Sequence, residues 1–317
     1  MKLKKPFLVF SAVIICLSLV SCKAAESDGS AQTTAESILA STETEAPVQT
    51  EAQTTEAQTT TEAPLPQEEK IEFSNEWEYA SFSAIHADTA TLYRCQAENR
   101  KNKVICINAG HGCRGGSSKK TLCHPDGSPK VTGGSTAKGS TTATSINEGT
   151  TLNDGTSEAS ANLALAKTVK ELLLENGYDV LMIRENDNTQ LDNIARTVIA
   201  NNNADCHISL HYDSSTNDKG LFFLGVPEVK SYINMEPVKS HYKEHIKLGE
   251  SLIEGERKAG VKIFSSGRMD IDLTQTSYST VPSVDLEVGD QASDHSPSQH
   301  RKIAEGILNG LNIYFDF

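Results

Sequence analysis

Four side chains of the kinds that bind metals or move protons stand where apolar runs end. His111 sits between two glycines in Asn108-Ala109-Gly110-His111-Gly112, just after the run Val104-Ile105-Cys106-Ile107. His211 follows Ser209-Leu210, and Glu287 lies inside Val284-Asp285-Leu286-Glu287-Val288-Gly289. Glu158 follows Gly155-Thr156-Ser157 at the start of a helical pattern. Three of the four have a plain structural reading as well. His111 suits a glycine turn, Glu158 suits a first helical turn where a carboxylate meets the positive end of the dipole, and His211 suits a strand terminus at the surface. Glu287 differs, because a carboxylate within a Val/Leu strand is costly to bury without a partner.

The elements around these residues alternate. Short apolar runs at 104–107, 180–183, 206–210, 221–224 and 282–288 read as strands. Helical spacing appears at 162–176 (Leu165, Val169, Leu172, then Gly177 as a stop), 191–201, 242–258 and 299–314. Strands alternating with helices predict an α/β fold: one twisted, mostly parallel sheet with helices on both faces. In such sheets sites form at the carboxyl ends of the strands, where His111 and His211 fall.

The rest of the chain divides by composition. Residues 1–22 read as an export signal, with Lys2, Lys4 and Lys5 before an apolar run of 14 residues, Phe7 to Val20, too short to span a membrane comfortably. It ends Leu19-Val20-Ser21-Cys22, which resembles the lipobox of bacterial lipoproteins, so Cys22 is the expected lipidation site and first mature residue. Residues 23–70 hold ten acids and two lysines and repeat Glu-Ala-Gln-Thr-Thr at 51 and 56. With almost no large apolar residues they predict a disordered linker. Residues 71–101 carry the only Trp, Trp77, and predict a β-rich extension. The net charge of −13 argues against nucleic-acid binding, which needs a basic footprint. Seven cysteines include no Cys-x-x-Cys pair, so a cysteine zinc site is not expected. Cys113 and Cys123, flanking a polar loop, are the pair best placed for a bridge, while Cys106 and Cys206 read as core residues.

Taken in order, these segments resemble the zinc-dependent N-acetylmuramoyl-L-alanine amidases of the amidase-3 type. The resemblance runs from Val104–Gly112 through Glu158 and its helix, Gly177-Tyr178-Asp179-Val180 to Arg184, Arg196–Asn201, and Ala204-Asp205 to His211. It closes with Pro282–Gly289 and the final helix. It covers residues 102–317 as a catalytic domain, with an insertion at about 113–155. The resemblance implies that His111, Glu158 and His211 bind zinc and that Glu287 is the catalytic carboxylate. Two neutral imidazoles and one carboxylate leave the metal positive with an open position, where it can acidify water and polarise a carbonyl. The implied substrate is peptidoglycan, cut between N-acetylmuramic acid and L-alanine. The implied location is the outer face of the bacterial cell membrane, with anchoring through Cys22.

Departures are Asn108-Ala109 where Asp-Pro is usual, Tyr212-Asp213 after the second His, Asp290 after Gly289, and the 47 positions between His111 and Glu158. That long segment is rich in Gly, Ser, Thr and Lys and reads either as a lid or wall-binding loop or as a solvated insertion. Arg184, Arg196 and Arg268 are candidates for substrate carboxylates or nearby acids. Arg268 ranks first for substrate because it sits in a polar loop before the late strand. His207 reads as a core residue, His124 as an insertion residue, and His241 and His245 as a solvated helix face. A zinc peptidase cutting within the stem peptide, and a non-catalytic wall-binding module, remain the competing functions. Oligomeric state is not legible.

Overall fold

The computed structural model describes residues 67–317. The export signal, Cys22 and the linker up to residue 66 lie outside the described residues. The strands are β1 (Gln67–Ile71), β2 (Ala90–Arg94), β3 (Val104–Ala109), β4 (Lys120–Leu122), β5 (Thr142–Thr144), β6 (Asp179–Met182), β7 (Cys206–Asp213), β8 (Leu221–Gly225), β9 (Ile263–Asp270) and β10 (Ser283–Asp290). The helices are α1 (Glu158–Glu175), α2 (Asn193–Asn203), α3 (Lys230–Ile233), α4 (Val238–Lys258), α5 (Thr274–Tyr278) and α6 (Pro297–Phe315).

Eight strands form one sheet in the order β1-β2-β6-β3-β7-β10-β8-β9. The central four, β6, β3, β7 and β10, are mutually parallel. β8 runs antiparallel to β10, and β2 antiparallel to β6. The expected mostly parallel α/β sheet is therefore present, with antiparallel strands added at both sides. β4 and β5 make a separate two-stranded hairpin within the 113–155 insertion.

Alternation along the central strands builds two different faces. Ile105, Ile107, Cys206, Ile208, Leu210, Val284, Leu286 and Val288 point to one side, where α1, α4 and α6 supply Leu165, Val169, Leu248, Leu252, Ile303 and Ile307. Each such side chain, fully buried, contributes roughly 1.5–3 kcal/mol. On the other side Cys106, Leu181 and Ile183 meet Ala195, Ile199 and Ala200 of α2. Nearer the middle of that second face the residues turn polar. His207 pairs in register with Ser283, Ser209 with Asp285, and His211 with Glu287. This polar column leads up the sheet to the strand ends.

The extension is part of this framework rather than a separate layer. β2 joins the sheet beside β6, and β1, starting at Gln67, lies four residues inside the stretch expected to be linker. The first four side chains of β1 are exposed, so backbone pairing to β2 holds it and no apolar pattern announces it. Asp192, the N-cap of α2, also accepts the amides of Ala84 and Ile85 and so fastens the extension to α2. The polar loop expected around Arg268 is instead β9. It is an edge strand with positive φ at Ser265 and Gly267, and its part-exposed, polar sequence lacks an apolar alternation.

Candidate active site

β3 ends at Ala109, and the chain turns sharply through Gly110, His111 and Gly112. His111 has φ +63° and Gly112 φ +71°. A non-glycine residue in this region is held there by its surroundings. Two buried arginines do the holding. Arg184 donates to the carbonyls of Ala109, Gly110 and Ala159. Arg196 donates to the carbonyls of Leu191, Ala109 and His111 and to Asn108 Oδ1. Both are essentially inaccessible, at 1% and 0% exposure. The expectation that they pair with substrate carboxylates or nearby acids is thus corrected: their hydrogen bonds go to the backbone of the strand-end turns and to one amide side chain.

Gly110 leaves room for the second histidine. A Cβ there would sit 2.2–2.6 Å from three atoms of the His211 ring, so only glycine lets the two strand ends approach. Glu158 is the first residue of α1, after an N-cap at Ser157, and its carboxylate is buried.

These three side chains converge. Glu158 Oε1 lies 2.7 Å from His111 Nε2 and 3.0 Å from His211 Nδ1, and the two nitrogens are 3.0 Å apart. The rings meet edge to face, 4.6 Å between centroids. Around them most of the remaining polar atoms are engaged. His111 Nδ1–H donates to the Asn147 carbonyl at 3.0 Å. A carbonyl can only accept, so Nδ1 carries a proton, and Nε2 is the nitrogen that faces Glu158 and His211 and can offer a lone pair to a metal. Glu158 Oε2 accepts the Thr150 amide at 2.8 Å, and Oε1 also accepts the Tyr212 amide at 3.2 Å. The ligand atoms of all three lie within 4.8 Å of one another. Burial pushes the Glu158 carboxyl up, but the hydrogen bonds and charges of His111 and His211 outweigh it and hold it well below the usual carboxylate range. For His211, burial pulls down while Asp285 and Glu158 pull up harder, raising it to about 10. Two imidazole nitrogens and a carboxylate oxygen aimed at one point form a set that fits a zinc ion with an open position.

Glu287 lies opposite His211 in register and faces the same side. It is half-buried, and its Oε2 has no hydrogen-bond partner among the described residues. Burial first, then the charge of Asp285, raises its carboxyl well above the usual value. Asp285, two residues earlier on the same face, was not singled out from the sequence. It is buried, its Oδ1 has no partner among the described residues, and its Oδ2 lies 3.8 Å from His211 Nε2. The period-two alternation that pairs it with Glu287 was the signal available.

Residues 105–312 match the family described as N-acetylmuramoyl-L-alanine amidase, amidase-3. The chain belongs to this family. Every residue of the converging site lies inside the matched range. Among solved structures, the amidase Ami1 from Mycobacterium smegmatis is similar at 18% identity and a TM-score of 0.56, over 68% of this chain and 97% of that one. Ami1 from Mycobacterium abscessus is similar at 21% identity and a TM-score of 0.52, over 67% and 98%. No curated protein matches the sequence.

Other residues of this amidase stand apart from the site. Arg268 is on β9 in register with Phe223, whose side alternates with that of Phe222, the partner of Glu287. It therefore leaves the sheet on the opposite face from Glu287, where it pairs with Asp270 at 2.5 Å and donates to the Val226 carbonyl. The structure does not bring it to the converging side chains. His124 is buried against Asp272 and Ser128. His207 is buried beside the Ser209 and Ser283 hydroxyls, and burial lowers it to about 3. His245 is not on a solvated face as expected: it is buried, and its Nδ1 accepts the Ser283 amide. Cys95, Cys106, Cys113, Cys123 and Cys206 are all buried free thiols, so Cys113 and Cys123 are not bridged. Among the described residues no helix is long and apolar enough to cross a membrane.

The insertion is not a solvated loop along its whole length. Asp272 accepts from Lys130 Nζ, the amides of Val131 and Thr132, and the Thr132 hydroxyl, and faces His124 Nε2. Tyr278 reaches the Leu122 carbonyl. Its final residues, Asn147 to Thr150, reach His111 and Glu158.

Proposed function

We propose that this peptidoglycan amidase is zinc-dependent, with His111, Glu158 and His211 holding the metal and Glu287 carrying the proton. The observation that carries the reading is the meeting of Glu158 Oε1 with one nitrogen of each histidine at 2.7 and 3.0 Å, with Glu287 in register beside His211. Zinc in that position supplies Lewis acidity toward water and toward the scissile carbonyl.

The chain's own residues account for the rest. Glu287 accepts a proton from the attacking water as the water oxygen bonds to the carbonyl carbon of the lactyl group. It then donates that proton to the alanine nitrogen as the C–N bond breaks, leaving a carboxylic acid on the sugar and a free amine on the stem peptide. A carboxyl raised above its usual value by burial and by Asp285 is a stronger base toward the water proton than an ordinary carboxylate. The Asn147 carbonyl keeps His111 in the tautomer that offers Nε2, and the Thr150 and Tyr212 amides hold the Glu158 carboxylate in place.

Digestion of purified peptidoglycan with the full chain and with Glu287→Gln, followed by mass analysis, tests this. The wild type is expected to release stem peptides with a free L-alanine amine. Glu287→Gln is expected to lose activity by about 10²–10⁴-fold while keeping one zinc per chain. Fragments cut within the stem would support a peptidase instead, and equal release by both proteins would remove Glu287 from the mechanism.

The lipobox-like Leu19-Val20-Ser21-Cys22 supports an enzyme outside the cytoplasm, tied to the outer face of the membrane by lipid on Cys22. Incorporation of an alkyne-tagged fatty acid that disappears in Cys22→Ala would support this, and equal labelling of both would refute it.

A further inference from the structure

We propose that Asp285 is a positioning residue for His211, orienting its imidazole so that Nδ1 is offered to the metal. This rests on the zinc reading above. His211 Nδ1 is the nitrogen that meets His111 and Glu158. Its other nitrogen, Nε2, points the opposite way, toward Asp285 Oδ2 at 3.8 Å. That distance is an electrostatic contact rather than a formed hydrogen bond, and on this proposal the two atoms draw into a hydrogen bond when the metal is held. A carboxylate there can only accept, so it selects the tautomer with hydrogen on Nε2 and a lone pair on Nδ1.

Two further observations support the assignment. Asp285 Oδ1 is buried without a partner among the described residues, which is unfavourable unless the carboxylate serves a charged or polar neighbour. His211 is the polar group its other oxygen faces. The symmetry of the site points the same way. The Asn147 carbonyl already fixes the tautomer of His111, and the Thr150 amide fixes Glu158. Without Asp285, His211 would be the one candidate ligand whose outward atom has no orienting group. Ligating histidines commonly give their second N–H to a carboxylate or carbonyl, and loss of that partner lowers metal affinity or activity by about 10–100-fold.

Zinc affinity, read by competition with a chromophoric chelator, separates the possibilities in wild type, Asp285→Leu and Asp285→Asn. Asp285→Leu is expected to bind zinc about 10–100-fold more weakly. Asp285→Asn keeps an oxygen acceptor without the charge and is expected to fall between. In NMR spectra of the zinc-loaded protein, a slowly exchanging imidazole Nε2–H signal from His211 should persist in wild type and Asp285→Asn and vanish in Asp285→Leu. Wild-type affinity in Asp285→Leu overturns the role of Asp285 and leaves the zinc reading standing. Equal weakening in both variants with the signal kept in both also overturns it, because the charge alone would then be acting. A wild type that takes up no zinc removes the zinc reading, and this role with it.

Discussion

Gly149 offers a direct test of how the insertion shapes the site. Its φ is +82°, and a Cβ added there would lie 2.7 Å from His111 Cδ2 and 2.8 Å from Glu158 Oε2. Ordinary contact with carbon needs about 3.5–4.0 Å, so Gly149→Ala must push these groups away by about 0.8 Å. Neither can yield freely, since His111 is held by the Asn147 carbonyl and Glu158 by the Thr150 amide. Metal sites tolerate only about ±0.2 Å in ligand distance. The left-handed backbone adds roughly 1–2 kcal/mol of strain for alanine, or about 2–8 °C in melting temperature for a domain of this size. Gly139→Ala isolates that strain, because Gly139 has φ +90° with nothing near its Cβ. In the metal-free state both variants should lose stability from the backbone, Gly149→Ala more because its Cβ also presses on His111 and Glu158. Gly149→Ala should in addition lose at least about 10-fold in zinc affinity, measured by chelator competition. If Gly149→Ala and Gly139→Ala bind zinc equally well, the insertion does not press on the ligands and the reasoning fails.

Two more expectations concern parts of the fold distant from the ligands. Asp272→Asn would leave Lys130, only 7% exposed, without its charge partner, a change that costs about 3–5 kcal/mol in a buried pair; limited trypsin digestion should then cut the insertion at Lys130 or Lys138 well before the rest of the chain, and an unchanged digestion pattern would contradict the anchor. Glu256, with no exposure and neither carboxyl oxygen partnered among the described residues, is pushed well above its ordinary value of about 4.5 by burial, against a smaller opposing effect of Lys302. The folded state therefore binds a proton that the unfolded chain gives up, and stability from this group falls by about 1.4 kcal/mol per pH unit as pH rises above 4.5 toward the folded pKa. Glu256→Gln should remove that slope, so the urea midpoints of variant and wild type should diverge in favour of the variant as pH rises, and parallel curves would count against a buried neutral acid.

Much of the framework was legible because it obeys local periodicity. The helical spacing of Leu165, Val169 and Leu172 predicted α1, and the apolar runs at 104, 180, 206 and 282 became the four central parallel strands. His111, Glu158 and His211 were legible only together: Glu158 alone reads as a helix-start residue, and it does occupy the first position of α1. What local pattern does not encode was missed. β9 and β1 are sheet edges with polar or exposed residues, held by backbone pairing. Arg184 and Arg196 bond mainly to carbonyls of the strand ends, and nothing in side-chain spacing distinguishes that from a substrate contact. The anchoring of the insertion depends on Asp272, 142 positions after Lys130, a separation no sequence window spans.

These long-range contacts bear on how the insertion is understood. A Gly/Ser/Thr-rich segment between two candidate ligands invites the view that it is an accessory flap which could be shortened without loss. Its chain path argues otherwise. It leaves the site just after His111, is tied to Asp272 just after β9 in the chain, and returns to place the Asn147 carbonyl on His111 and the Thr150 amide on Glu158. His111 and Glu158 are 47 positions apart in sequence, yet Nε2 of one lies 2.7 Å from Oε1 of the other. The groups that orient them come from the returning arm of the same segment. The insertion is thus part of the wall of the site, and any substrate preference it confers is exerted by a structure that also holds His111 and Glu158 in place.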